Sequence, residues 1–238
     1  MTTNDLSRLG TTVAVWAHPD DETYLSGGLA AALRDQGQRV VCMTATRGEA
    51  GGPDPSAAGR DELSRLRTRE LDDALGVLGV AEHLWLDYED GGCETVDPAE
   101  AVARLGRILA DIEPDTVLTF GPDGVTGHPD HRTVGGWVDK AVADLPCRPL
   151  LLHAVSTPED REVDPALDTD FDVFYLGGPR VCAPDEVEIR LELTGVQLDR
   201  KVRALLSQPS QTSVLVDAVG LDRFRAWVAA ETFARPVG

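Results

Sequence analysis

Short β-branched runs separated by longer amphipathic segments constrain this chain more than any other feature. Thr12 to Trp16 (TVAVW), Arg39 to Thr46, His83 to Leu86, Thr116 to Phe120 and Leu150 to Val155 read as strands. Helical apolar spacing runs through Tyr24 to Gln36, closed by Gly37, through Asp61 to Leu78, ending at Gly79, through Pro98 to Ile112, and through a stretch following Pro129. Strand, crossover helix, strand is the βαβ unit, and its repetition demands a mostly parallel sheet with helices against its faces. The predicted class is therefore α/β, a Rossmann-like, mostly parallel sheet flanked by helices. Beyond Val155 the pattern loosens: STPEDREVDPALDTD has loop composition, EVEIRLEL alternates like a half-exposed strand, and Gln197 to Leu206 and Leu221 to Thr232 read as closing helices. With no internal repeat and no low-complexity linker, a single domain over 1–238 is expected, its core at about 11–155 and residues 156–238 completing it.

Charge excludes one class of partner. With 41 acids against 22 bases the net charge is −19, spread along the chain, so phosphate backbones and anionic lipid are poor partners. No nucleic-acid role is expected. No apolar run approaches the roughly 18 residues a membrane span needs, and the first residues lack a basic start followed by a long apolar stretch. Cys42, Cys93, Cys147 and Cys182 lie far apart with no CxxC pair, as expected of reduced thiols. These features predict a cytoplasmic protein.

In open parallel sheets, ligands sit outside the carboxyl ends of the strands. Three loops there carry polar clusters: Ala17 to Glu22, TRGEAGG from Thr46, and GPDGVTGHPDHR from Gly121. The first and third share the phrase His-Pro-Asp, at His18-Pro19-Asp20 and His128-Pro129-Asp130, the latter followed by His131. Three of the chain's 5 histidines therefore fall in two strand-to-helix turns, while His83 and His153 lie elsewhere. Histidine and carboxylate ligands suit zinc, and a catalytic zinc takes three protein ligands and keeps one position open. Helix capping is the simpler role for an acid at such a turn, and it is the one expected of Glu22. Capping needs only one acid, however, and burying Asp20 beside Asp21 without a cation is costly. A nucleotide site would need a glycine fingerprint in the first loop, and none is present. Gly27 and Gly28 come later, inside the helix, where close packing is the expected reason for them.

The pair AHPDDE at 17–22 and GHPDHR at 127–132 resembles the PIG-L/LmbE family of zinc-dependent N-acetylglucosaminyl de-N-acetylases. TRGEAG at 46–51, RTRELDDALGVLG at 67–79, the DG at 90–91 and KVRALLSQPSQ at 201–211 extend the likeness, while about Thr157 to Pro184 matches nothing in it. The resemblance implies a Rossmann-like hydrolase that removes acetyl from an N-acetylglucosamine-type amide in a small molecule, glycoconjugate or thiol precursor. It implies zinc held by His18, Asp21 and His131, with iron(II) or cobalt as other ions such a site accepts. Asp20 would be the general base, a protonated His128 would stabilise the oxyanion, and Asp130 would orient one of the histidines. Arg67 would reach substrate hydroxyl or phosphate groups and Asp90 the sugar hydroxyls, with Glu49 near the pocket. Simpler roles compete for two of these: Arg67 pairing with Glu62 or Glu70 on its own helix, and Asp90-Gly91 serving as a turn. Thr126 stands where some thiol-pathway members carry a tyrosine, which leaves a tyrosine-assisted oxyanion site without its residue. Many members assemble, so a homo-oligomer is among the expectations. The alternatives are a metal-dependent hydrolase of another amide or ester bond and a noncatalytic sugar-binding relative.

Overall fold

The computed structural model describes residues 6–171, 173–174 and 176–237. In chain order the elements are β1 (Thr12–Trp16), α1 (Asp21–Asp35), β2 (Val40–Thr46), α2 (Ala57–Leu78), β3 (Glu82–Tyr88), α3 (Pro98–Ile112), β4 (Thr116–Phe120), α4 (Gly124–Gly127), α5 (Pro129–Ala143) and β5 (Leu150–Val155). They continue as α6 (Pro158–Glu162), α7 (Pro165–Asp170), β6 (Val187–Glu192), α8 (Gly195–Leu206), α9 (Pro209–Val219), α10 (Leu221–Trp227) and β7 (Ala230–Ala234). The α/β class holds, in a seven-stranded sheet of order β3-β2-β1-β4-β5-β7-β6. β3, β2, β1, β4 and β5 pair in parallel, while β7 runs antiparallel between β5 and β6.

Burial explains why the parallel strands were legible. Every residue of β1, β2 and β4 is buried, and strands covered on both faces read as unbroken apolar runs. β3 lies at the sheet edge and alternates, with Leu86 fully buried and Leu84 exposed. α1, α2 and α8 pack on one another, α3 packs on α5, and β1 touches both α1 and α5, so the sheet has a helix layer on each face. Local signals set the helix ends: Asp97 caps α3 ahead of Pro98, Ser56 caps α2 from Gly59, and Gly79 ends α2 at φ 80.

The strand order reverses between β1 and β4, which are sheet neighbours although β2 and β3 lie between them in sequence. At such a switch point the loops leaving the two strands diverge and open a crevice. The loop after β1 carries the first His-Pro-Asp and the loop after β4 the second, so topology brings residues more than a hundred positions apart side by side.

Two sequence expectations need correction in the C-terminal third. The segment read as loop holds α6, with a reciprocal Thr157/Asp160 capping box, and α7, capped by Asp164 onto Leu167. The helix expected over Leu221 to Thr232 stops at Trp227, and Ala230–Ala234 becomes β7. Its reason is tertiary. Glu231, buried, accepts the amides of Gly28 (2.6 Å) and Leu29 (2.7 Å) in α1 and pairs with the equally buried Lys201 of α8 at 2.8 Å. Lys201 Nζ in turn donates to the Tyr24 carbonyl at 2.8 Å. One ion pair thereby ties α1, α8 and β7 together. α9 was not foreseen, whereas the expected close packing of Gly28 is observed: a Cβ there would lie 2.3 Å from Leu193 Cδ1.

Candidate active site

The turn after β1 is strained. Asp20 adopts φ 114, a conformation that costs a non-glycine residue free energy, and its side chain caps nothing. Glu22 does the local work instead, accepting the Asp20 amide at 2.9 Å and the Gln208 side chain at 2.8 Å. Asp21 accepts the His18 amide at 2.8 Å. The Asp20 carboxylate is thus left facing the crevice.

In the second loop, Asp123 accepts the Val125 amide at 2.6 Å, and Val125 sits at φ 62 between two positive-φ glycines, Gly124 and Gly127. Gly127 is required: a Cβ would meet the Leu176 carbonyl oxygen at 2.3 Å. His128 caps α5, its Nδ1 accepting the Asp130 amide at 3.2 Å, and His131 stacks on Phe120 at 4.2 Å.

Hydrogen bonds assign the ring tautomers. His131 Nδ1 faces the Gly124 carbonyl at 2.9 Å, which requires the proton on Nδ1 and leaves a lone pair on Nε2. His18 Nε2 faces Asp130 Oδ2 at 3.2 Å and Asp90 Oδ1 at 3.1 Å, which holds a proton on Nε2 and makes Nδ1 the nitrogen whose proton a cation would displace. His18 Nδ1 and His131 Nε2 approach to 3.1 Å, and the Asp21 carboxylate lies 3.6 Å from His18 Nδ1 and 3.4 Å from His131 Nε2. Two imidazole nitrogens and a carboxylate turned toward one another match the donor types that bind zinc. Donor atoms of His18, His128 and His131, and of His18, Asp90 and Asp130, also come within 4.8 Å of one another. Asp130 is otherwise engaged, however: fully buried, it accepts the amides of Gly91 (2.8 Å) and Cys93 (3.2 Å).

Electrostatics follows from this packing. Burial opposes a charged His18, but hydrogen bonds to Asp130 and Asp90 and the field of Asp21 lift it to about 10. Burial pulls His131 down to about 4. Burial, with the charges of Asp21 and Glu22 and against the pull of Arg67, raises Asp20 to about 7, where a carboxylate serves as a base at neutral pH. His128 lies below its ordinary value, through burial and the positive His18, which works against the cationic His128 implied by the resemblance.

Of the residues expected to meet substrate, Arg67 and Asp90 line the cavity, and each is also held by protein partners. Arg67 is buried and lines the crevice, yet its guanidinium donates to the carbonyls of Gly48 (2.8 Å) and Pro19 (2.5 Å) and lies 3.5 Å from Asp20. Neither same-helix pairing occurs, and Glu70 instead accepts the amide and hydroxyl of Ser210. Asp90 braces His18 and accepts the Ala50 amide at 2.8 Å. Glu49 is not among the residues lining the cavity, and its Oε1 accepts the Asp90 amide at 2.9 Å.

A cavity of about 850 Å³ opens from His18, Asp20, Asp21, His128 and His131. The family described as "PIG-L: GlcNAc-PI de-N-acetylase" matches residues 13–142, more than half of the chain and both His-Pro-Asp loops. The chain belongs to the PIG-L family. Over 86% of its length it is 30% identical to a Kineococcus radiotolerans protein named 1D-myo-inositol 2-acetamido-2-deoxy-alpha-D-glucopyranoside deacetylase, of which it covers 69%. It is 31% identical, over 86% of its length and 85% of the relative, to a Bacillus cereus protein named "Probable N-acetyl-alpha-D-glucosaminyl L-malate deacetylase 2". Among solved structures it shares its fold with the N,N'-diacetylchitobiose deacetylase of Pyrococcus horikoshii, at TM-score 0.64 and 23% identity, over 98% of this chain and 86% of that one.

The PIG-L match ends at 142, and the outer part of the cavity is built beyond it. Phe174, Arg161 and Arg190 line it, as do Gln211, Leu215 and Trp227 near the C-terminus. None of the six stands out singly in the sequence, although Arg161 and Phe174 fall in the Thr157 to Pro184 segment where substrate specificity is expected and Gln211 ends the stretch KVRALLSQPSQ. No motif marks a residue whose role is to wall a cavity from across the fold.

Proposed function

We propose that this chain hydrolyses the amide of an N-acetylglucosamine-type small molecule or glycoconjugate, releasing acetate and the free amine. The observation that carries the reading is the convergence of His18 Nδ1, His131 Nε2 and the Asp21 carboxylate at the end of a cavity, beside an Asp20 carboxyl raised to about 7. These three residues would hold the ion, zinc in this reading, which supplies Lewis acidity to polarise the acetyl carbonyl and acidify water. Asp20 takes a proton from the attacking water and returns it to the departing nitrogen, so that water is divided between acetate and amine. His128 supports the oxyanion without needing a charge. Since Nδ1 accepts the Asp130 amide, a neutral ring carries its proton on Nε2 and donates it as a hydrogen bond. Asp130 and Asp90 hold a proton on His18 Nε2 and so make Nδ1 the nitrogen that would hold the ion.

A cytoplasmic setting belongs to the same proposal and is supported by four free cysteines. Among the described residues, no helix is long and apolar enough to cross a membrane. The test is amine release from a panel of N-acetylglucosaminides by zinc-loaded protein, with Asp20→Asn as control. Turnover that falls about 10²- to 10⁴-fold in the variant, at unchanged metal content, is the expected result. Turnover near that of the unaltered chain refutes the base assignment.

A further inference from the structure

The remote wall of the cavity names a substrate class. Resting on the deacetylase reading, we infer that the N-acetylglucosamine unit is presented on an apolar, uncharged alkyl or aryl aglycone, and that anionic aglycones are disfavoured.

Size makes the first case. About 850 Å³ lies near the upper end of small-molecule sites and exceeds what one sugar ring fills. Apolar side chains line the cavity among paired charged groups: Leu25, Val163, Val173, Phe174, Leu215 and Trp227. This wall is braced. Asp168 accepts Trp227 Nε1 at 3.1 Å and pairs with Arg161 at 2.9 Å, and the Arg161 guanidinium lies 4.1 Å over the Phe174 ring. Tyr24, on the crevice side, meets Trp227 edge-on at 6.0 Å. An indole held at its Nε1, as Trp227 is, offers flat apolar area at little ordering cost.

Charge makes the second case. Among the described residues, the arginines lining the cavity are Arg67, Arg161 and Arg190. Arg67 is committed to two carbonyls and Asp20, Arg161 to Asp168, and Arg190 to Asp160 at 2.9 Å and to Glu192. The acids lining the same space are Asp20, Asp21, Asp90, Asp160, Asp168 and Glu192. A carboxylate or phosphate on the aglycone would lose water, meet acids, and find each of these cations already paired.

The experiment compares kcat/KM for N-acetylglucosamine, its hexyl and phenyl glycosides and its malate glycoside, using the full zinc-loaded chain. The hexyl and phenyl glycosides should exceed the free sugar by about tenfold or more, and the malate glycoside should not. Trp227→Ala should cut the hexyl-to-free-sugar ratio about tenfold, chiefly through KM. Leu215→Gln gives the same reading should Trp227→Ala not fold. Preference for malate, or equal rates with hexyl glycoside and free sugar, overturns this inference and leaves the deacetylase reading standing. Absence of amine from every substrate overturns the deacetylase reading, and this inference with it.

Discussion

Asp20 is held at φ 114 by its neighbours rather than by its own side chain, since Glu22 accepts its amide and Asp21 accepts that of His18. Strain of this kind persists only where the surroundings over-determine it, and here it turns a carboxylate into the cavity beside the three proposed metal ligands. The two histidines of the second loop divide by the same logic. His131→Ala should lower zinc content, because its free Nε2 is one of the proposed donors. His128→Ala should retain zinc while kcat falls about 10²- to 10³-fold. Metal analysis of the two variants checks the division, and the opposite pattern would exchange their roles. Without metal, Asp20 holds its proton to about 7 rather than 3.8, so the fold loses stability as pH rises between those values. His18, raised from 6.5 to about 10, contributes stability that is complete below 6.5 and lost as pH climbs through 10. Both act in one direction, and a cation in the same place substitutes for the protons. The rise in Tm on adding zinc to chelated protein should therefore grow from about pH 5.5 to about pH 8.5. A rise that shrinks over that range would place the cation elsewhere.

At the scale of elements, α1 carries the proposed metal ligand Asp21 on its first turn and is anchored one and two turns later by Lys201 and Glu231. Removing one member of a fully buried pair strands the other charge. Lys201→Met should cost about 3–5 kcal/mol in chemical denaturation, and adding Glu231→Gln should recover part of that loss. Additive losses would mean that the pair does not act as a unit. The elements also show what kind of signal sequence carries. α3 and the strand Thr116–Phe120 were read at their observed bounds, because an Asp-Pro cap and an unbroken apolar run are signals written within the element. Ala230 to Thr232, the start of β7, fall inside the expected helix because their strand state comes from pairing with β5 and β6 and from the Glu231 anchor, all distant in sequence. α6 carried a legible Thr-Pro-x-Asp capping box inside a loop-like composition, and composition was given the greater weight.

For the whole molecule, the family match over 13–142 covers both His-Pro-Asp loops but not every partner of the helices α1 and α2 beside them. Gln208 reaches Glu22, Ser210 reaches Glu70, and Glu231 reaches the amides of α1. A chain ending after Ser156 keeps the expected metal ligands yet leaves these buried groups without their partners, at a cost for each. Such a chain should show neither cooperative unfolding nor tight zinc binding in thermal and metal-binding measurements. Retention of both would reduce the C-terminal third to a cover over the cavity.

Sequence alone determined the α/β class, most parallel strands and their helices, and the two loops in which the acids and histidines of the site lie. These follow from periodicity, capping and spacing, which act between near neighbours in the chain. Tertiary structure decided which nitrogens of His18 and His131 face one another, that Asp90 braces His18, that Glu49 holds the Asp90 amide, and that the last strand enters between two others. It also decided the apolar wall at Phe174, Leu215 and Trp227. The reason is physical: tautomer, charge state and cavity shape are set by groups brought together through the sheet from positions far apart in the chain, and no local pattern encodes who those neighbours will be.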